Sequence, residues 1–336
     1  MASEYDLAVV DAIAKTKSIM GQYAGKEIAV AYSGGADSDV IMHFLRNNGH
    51  DVKGIFYDTG IEFKATHDHV EYMRTLGFDI EKIRAVRAVP TSNKMYGHPF
   101  LNKRVSDYLQ RLQSHEFDFS VDGELPLANL LVKYPKCKTA LRWWTNDWGD
   151  GSRFNIDRNK HLKEFLIQYG LPFKVSGKCC DGAKKMPFRK YAKEHSLDLI
   201  ILGIRKSEGG SRAGAYSNCF VSPKSYKYGM YFPTFWWNNA VREQYILEHD
   251  IVLSAAYTKY GLQRTGCAAC PFGRNFDYEL DILEEYEPRL HKGITNIFKD
   301  THGWTRKYRA FQEEMGMGTT KIAIDTKNEF VQLSLW

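Results

Sequence analysis

Four of the six cysteines fall in two pairs, Cys179-Cys180 and Cys267-x-x-Cys270. Adjacent cysteines do not easily bridge to each other, and the second pair, roughly ninety residues on, supplies the two missing corners of a four-thiolate metal site. Tetrahedral sulfur suits zinc as well as an iron-sulfur centre, so residue types alone leave the metal open. Cys137 reads as a core thiol. A second chemistry is written in Ser33-Gly34-Gly35-Ala36-Asp37-Ser38. Gly34 and Gly35 reach backbone angles closed to other residues, so successive amides, including that of Ala36, can face phosphate oxygens at a helix N-terminus. Ser33 and Ser38 add hydroxyls, and Asp37 is placed to hold a magnesium ion or orient a phosphate-bound water. No lysine completes a Walker-type loop here. Asp58, Thr59, Gly60 and Glu62 form a further polar turn where ribose hydroxyls or a metal can be met, although Asp58-Thr59 also reads as a helix cap. In the stretch from Gly203 to Arg212, Arg205 and Arg212 offer paired donors for a phosphate or sulfate and Glu208 a partner for one guanidinium. A solvated charged loop is the plainer reading of the same residues.

The elements that must position these groups alternate. Glu27 to Tyr32 reads as a buried strand, followed from Asp37 by a helix with Val40, Ile41, Phe44 and Leu45 on one face that closes near Gly49. Asp51 to Tyr57 is the next strand, about Phe63 to Leu76 the next helix, and Asp79 to Val86 a third strand. This βαβαβ order predicts an α/β fold, a parallel twisted sheet flanked by helices. Ligands of such sheets bind beyond the carboxyl ends of the strands, where both glycine turns lie. A polar, aromatic-rich stretch from Thr91 to Asn159 interrupts the alternation, which resumes at Leu197 to Gly203. The expected organisation is an N-terminal helix over 1–24 and a nucleotide-binding domain over 25–275. A helical insertion occupies about 91–160 of that domain, and a C-terminal helical appendage covers 276–336.

At the loop Ser33-Gly34-Gly35-Ala36-Asp37-Ser38 the chain resembles the PP-loop ATP pyrophosphatases, or adenine nucleotide alpha hydrolase-like superfamily, marked by Ser-Gly-Gly-x-Asp-Ser. Asp58-Thr59-Gly60-Ile61-Glu62-Phe63 narrows the resemblance to the phosphoadenosine phosphosulfate (PAPS) reductase family. Further matches are Gly203-Ile204-Arg205 through Arg212, the run Gly97 to Ser106, Lys178-Cys179-Cys180, and Thr265-Gly266-Cys267-Ala268-Ala269-Cys270-Pro271-Phe272-Gly273. The resemblance spans about Lys26 to Gly273. It implies a Rossmann-like fold, ATP or another adenine nucleotide as ligand, and a 4Fe-4S cluster on Cys179, Cys180, Cys267 and Cys270. Cys219 lies where relatives carry a Gly-Cys and is an alternative ligand. Lys178, Lys184 and Lys185 would offset the negative charge of such a cluster. Sulfonucleotide reductases of the family use a cysteine in a C-terminal Glu-Cys-Gly-x-His tail, whereas no cysteine follows Cys270 here. That departure points from reduction of a sulfated adenylate towards ATP-dependent adenylation of an acceptor for sulfur transfer.

Length and composition agree with an enzyme-sized globular chain: 336 residues with 43% hydrophobic content can bury a full core. Mean hydropathy is −0.44, and no stretch approaches the about 18 apolar residues of a membrane span. The acidic N-terminal segment, with a capping box at Ser3 and Asp6, reads as a surface helix rather than a signal peptide. A cytoplasmic setting is expected, where sparse cysteines stay reduced and free for metal. The net charge of +6 favours an anionic partner, and a nucleotide alone accounts for it. The expected partners are an adenine nucleotide, an acceptor that is a small molecule or nucleic acid, and a sulfur donor, with no membrane. Two rival readings are a PAPS or adenylyl sulfate reductase using Cys219 or an external thiol, and a nucleic-acid-binding protein with a structural metal. In the latter, Trp143, Trp144, Trp148, Trp236 and Trp237 would stack on bases.

Overall fold

A computed structural model describes residues 2–209, 215–223 and 227–316 of the chain. They gather into two compact units, one of residues 2–95 with the described part of 178–297, the other of residues 96–177 with 298–316. In the first unit six strands among the described residues form one sheet: β1 (Ile28–Tyr32), β2 (Lys53–Asp58), β3 (Ile80–Arg84), β4 (Leu199–Leu202), β5 (Phe220–Val221) and β6 (Gly229–Tyr231). Their order is β3-β2-β1-β4-β6-β5. Every pair is parallel except β5 with β6. The expected α/β fold is the one observed.

Parallel strands must be covered on both faces, and the period-2 alternation of side chains divides the core accordingly. Val30, Tyr32, Phe56, Leu199 and Ile201 pack on one face with Ile41 and Leu45 of α2 (Ala36–Asn47) and Val70 and Met73 of α3 (Lys64–Thr75). Ala29, Ile55 and Ile200 face the other way, against Tyr191 of the helix Met186–Glu194 and Phe232 and Phe235. The first helix, α1 (Glu4–Gln22), carries the expected capping box between Ser3 and Asp6. It packs Tyr5 and Ala12 into a cluster with Phe44, Trp237 and Tyr245.

Strand order reverses at β1, which has β2 on one side and β4 on the other. A crevice opens outside the carboxyl ends of such diverging strands. Gly203, just past β4, makes the approach there close: a Cβ would lie 3.0 Å from the carbonyl carbon and 3.1 Å from the carbonyl oxygen of Asp37. Backbone of a helix first turn cannot yield as a side-chain tip can. Gly203→Ala is therefore expected to cost about 1–3 kcal/mol, read as a lowered midpoint of thermal unfolding.

The second unit is helical, with a core of Phe100, Leu109, Leu112, Trp143, Trp144, Phe165 and their neighbours. Cys137 is fully buried in it, as expected of a core thiol. Trp143, Trp144 and Trp237 are also buried, and the Trp144 indole N–H donates to the Gly123 carbonyl at 2.9 Å. Three of the five tryptophans considered for base stacking are thus core residues. Trp236 is exposed, with the Lys206 ammonium above its ring. Among the described residues no helix is long and apolar enough to cross a membrane.

Candidate functional site

The turn after β1 folds around Ser38. Its Oγ donates to the Gly35 carbonyl at 2.7 Å and accepts from the amides of Gly35 at 3.1 Å and Ser33 at 3.3 Å. Gly34 holds a φ of +66°, and at Gly35 a Cβ would fall 2.7 Å from Thr265 Oγ1 and 3.0 Å from the Tyr257 hydroxyl. Glycine is required for the backbone angle at the first position and for space at the second. The Ala36 amide donates to the Tyr257 hydroxyl at 3.2 Å. Burial pushes the Tyr257 phenol up, so this hydroxyl stays protonated at neutral pH. It stands where a phosphate oxygen would meet the helix N-terminus.

Asp37, on the first turn of α2, meets the segment after β4. Arg205 Nε donates to Asp37 Oδ1 at 2.6 Å, and Arg205 Nη1 donates to Ser207 Oγ at 2.8 Å and Asn239 Oδ1 at 2.9 Å. Arg205 is only 3% exposed. The guanidinium expected to grip a phosphate is held inside the wall, where it fixes Asp37. Glu208, expected to fix that guanidinium, is exposed on the turn Lys206–Glu208. Arg212 lies outside the described residues. Among the described residues Arg242, unremarked in the sequence, also approaches the turn. Its Nη1 lies 3.6 Å from Asp37 Oδ1, Nη2 donates to Glu243, and its Nε is buried without a partner. A buried charged donor without an acceptor is costly, and an anion arriving at the turn would satisfy it. Behind the loop, fully buried Asp39 accepts from the Tyr32 hydroxyl at 2.6 Å and lies 2.9 Å from His69 Nε2. This network ties α2, β1 and α3 together.

The turn after β2 is built by its own amides. Thr59 N–H donates to Glu62 Oε2 at 2.9 Å and Gly60 N–H to Asp58 Oδ1 at 2.8 Å. The Thr59 hydroxyl lies 3.4 Å from Cys267 Sγ, Glu62 forms a bridge with Cys267, and the Ala268 amide donates to Ile61 O at 2.8 Å. Two segments more than two hundred residues apart are thereby joined. Burial raises the Glu62 carboxyl, opposed by the Lys184 ammonium and the Thr59 hydrogen bond. The Glu62 atom Oε1 is buried with no partner.

All four paired cysteines are free thiols within electrostatic reach of one another. A hydrogen bond with Cys180 does most to raise the Cys179 thiol, followed by burial and by the charges of Cys180, Cys270 and Cys267. Burial lifts Cys267 to about 11 and Cys270 to about 12, and the charge of Cys180 raises each further. Lys184 pulls the other way on Cys267, while Lys185 is engaged with Asp181 at 2.9 Å. The tandem pair runs into a π-helical turn, Asp181–Lys185. Cys219 stands apart, packed on the sheet with Tyr231 nearby. Among the described residues, the set whose ligand atoms all lie within 4.8 Å of one another is Asp58, Glu62 and His67. The thiols form no such set, although four sulfurs around one zinc would stand only about 3.8 Å apart at Zn–S of about 2.3 Å. His67 was not singled out from the sequence; a lone histidine on a first helical turn carries no motif.

The phosphoadenosine phosphosulfate reductase domain model matches residues 27–123 and 152–272. No curated protein matches the sequence. Among solved structures, the phosphoadenylyl-sulfate reductase of Candida auris is 14% identical with a TM-score of 0.42, over 80% of this chain and 96% of that one. The Candida glabrata FMN adenylyltransferase is 13% identical with a TM-score of 0.40, over 80% and 66% of the two chains. The U34-tRNA thiolase NcsA of Methanococcus maripaludis, solved with its 4Fe-4S cluster, is 13% identical with a TM-score of 0.37, over 90% and 80%.

Proposed function

Because this chain belongs to the phosphoadenosine phosphosulfate reductase domain family, we propose that it is an adenine-nucleotide enzyme whose phosphate site is the Ser33–Ser38 turn, with Cys179, Cys180, Cys267 and Cys270 holding an iron-sulfur cluster beside it. The observation that carries the nucleotide reading is the unpartnered Arg242 Nε next to a glycine turn at a helix N-terminus. The donor set suits the cluster: four thiols within electrostatic reach of one another, the residue type that ligates iron-sulfur centres. Lys184 beside Cys267 supplies an offsetting positive charge. When bound, such a cluster supplies a polarising or electron-donating centre next to the nucleotide.

In this reading Gly34, Gly35 and Ala36 offer amides to the phosphates, that of Gly35 turning from Ser38 Oγ to do so, and the N-terminus of α2 adds its partial positive charge. Tyr257 yields its hydrogen bond from Ala36 to a phosphate oxygen and turns its own hydroxyl towards it. Arg205 holds Asp37, which then orients a magnesium ion or a water on the phosphate. Arg242 stabilises the charge that develops on the transferring group.

Two chemistries use this adenylate. The family to which the chain belongs favours reduction of a sulfated adenylate, in which a thiol outside the cluster attacks the sulfate sulfur, AMP or its 3′-phosphate leaves, and a second thiol releases sulfite. Cys219 or an external thiol would have to serve. The grouping of thiols favours the other reading: all four at the site are engaged with one another, and Cys219 packs on the sheet. There an acceptor oxygen attacks the ATP α-phosphorus, pyrophosphate leaves, and a sulfur donor displaces AMP from the adenylated acceptor. Anaerobic protein incubated separately with adenylyl sulfate or its 3′-phosphate plus a dithiol, and with ATP plus candidate acceptors, separates them. Sulfite release selects the reductase and pyrophosphate release the adenylating enzyme. Failure to bind any adenine nucleotide contradicts both.

A further inference from the structure

The turn between β2 and α3 brings together three side chains of a kind that the phosphate loop and the thiols do not use. We infer that Asp58, Glu62 and His67 form a site for a divalent transition cation, of the manganese or zinc class, at the carboxyl edge of β2. This inference does not rest on the nucleotide reading.

Three observations carry it. One ligand atom from each residue lies within 4.8 Å of the other two, the spread one ion can bridge. Glu62 is only 6% exposed and its Oε1 has no hydrogen-bond partner, a position a carboxylate oxygen keeps at a cost unless a ligand meets it. Each carboxylate is also oriented from behind, Glu62 by the Thr59 amide on Oε2 and Asp58 by the Gly60 amide on Oδ1. Such outer hydrogen bonds orient ligands at metal sites. His67 Nε2 faces Asp58 Oδ1 at 3.9 Å, and its ring stands edge-on to Phe56 with centroids 5.6 Å apart.

The donor set selects the ion. Two carboxylates and an imidazole suit manganese, iron or zinc better than magnesium or calcium, which favour oxygen throughout. His67 lies on the first turn of α3, where the helix dipole disfavours a cation. The Glu287 carboxylate, accepting from the Lys64 and Ala65 amides at 2.8 and 3.3 Å, neutralises that end. Three protein ligands leave coordination positions for water or a substrate oxygen.

The test is titration of the metal-free full-length chain with Mn²⁺, following free aquo-manganese by EPR. One saturable equivalent is expected. It should weaken by at least about tenfold in His67→Ala and in Glu62→Gln, since even the outer partners of ligands act on that scale. It should persist in Cys267→Ser, which separates it from the thiols. His67 is partly exposed and lies outside the core clusters, so its replacement leaves the fold in place. Absence of saturable binding, survival of the site in His67→Ala, or its loss in Cys267→Ser would each overturn the inference.

Discussion

Asp37→Ala is expected to abolish turnover of the adenine nucleotide and, in addition, to destabilise the protein by about 3–5 kcal/mol. The second effect distinguishes this site from a simple phosphate loop. Arg205 is 3% exposed, and its shortest contact is the 2.6 Å hydrogen bond to Asp37. Removing the carboxylate leaves a buried guanidinium with neutral partners, Ser207 and Asn239, which cannot offset its charge. Arg242→Gln should behave in the opposite way. Its side chain is 21% exposed, so the fold loses little, while the nucleotide loses a charged hydrogen bond worth about 1.5–3 kcal/mol. Affinity should then fall roughly 10- to 100-fold. Thermal melts and calorimetric titration with a non-hydrolysable ATP analogue check both. Loss of stability in Arg242→Gln with unchanged nucleotide affinity would reverse the roles assigned to the two arginines.

Cys267→Ser should strip most of the iron and sulfide from anaerobically prepared protein and leave the sheet intact. Cys267 is half-buried between the Thr59 hydroxyl and Lys184, and it brings its loop onto the β2 turn. Serine preserves the shape of that contact but cannot supply a thiolate. The pH dependence has a definite sign. Burial holds Cys267 at about 11 and Cys270 at about 12, so both are protonated in the metal-free fold at neutral pH. A metal centre must displace those protons, and its loading therefore tightens as pH rises and weakens as it falls. Iron and sulfide analysis with visible absorption, on wild type and variant across pH 6 to 9, reads both effects. Equal iron in the two proteins would remove Cys267 from the ligand set.

The first half of the sheet was legible because its signals are local. Glycine turns close β1 and β2, apolar periodicity marks α2 and α3, and the observed boundaries differ from the expected ones by one or two residues. Strands β5 and β6 were not legible. They have two and three residues, too few to show alternation, and they exist through pairing with β4 and each other. Within the site, Asp37, the glycines and the cysteine pairs announce themselves by motif. Arg205 was recognised as a residue but not in its role, because a charge after a strand looks the same whether it faces a ligand or a buried carboxylate. Arg242 and Tyr257 carry no spacing signal and enter the site only through tertiary approach of separate helices, whereas His67 sits on the helix that follows the β2 turn but belongs to no motif. Exposure could not be read either: Trp143 and Trp144 lie in a polar stretch yet fill the core of the second unit.

In the proposed enzyme the phosphates of an adenine nucleotide lie on the Ser33–Ser38 turn within reach of a polynuclear iron centre on four cysteines. Crystals grown anaerobically, soaked with a non-hydrolysable ATP analogue and measured at the iron absorption edge test it in one experiment. An anomalous peak enclosed by Cys179, Cys180, Cys267 and Cys270 is expected, with phosphate density against the amides of Gly34, Gly35 and Ala36. A single zinc among the thiols, or a nucleotide bound away from that turn, would contradict it.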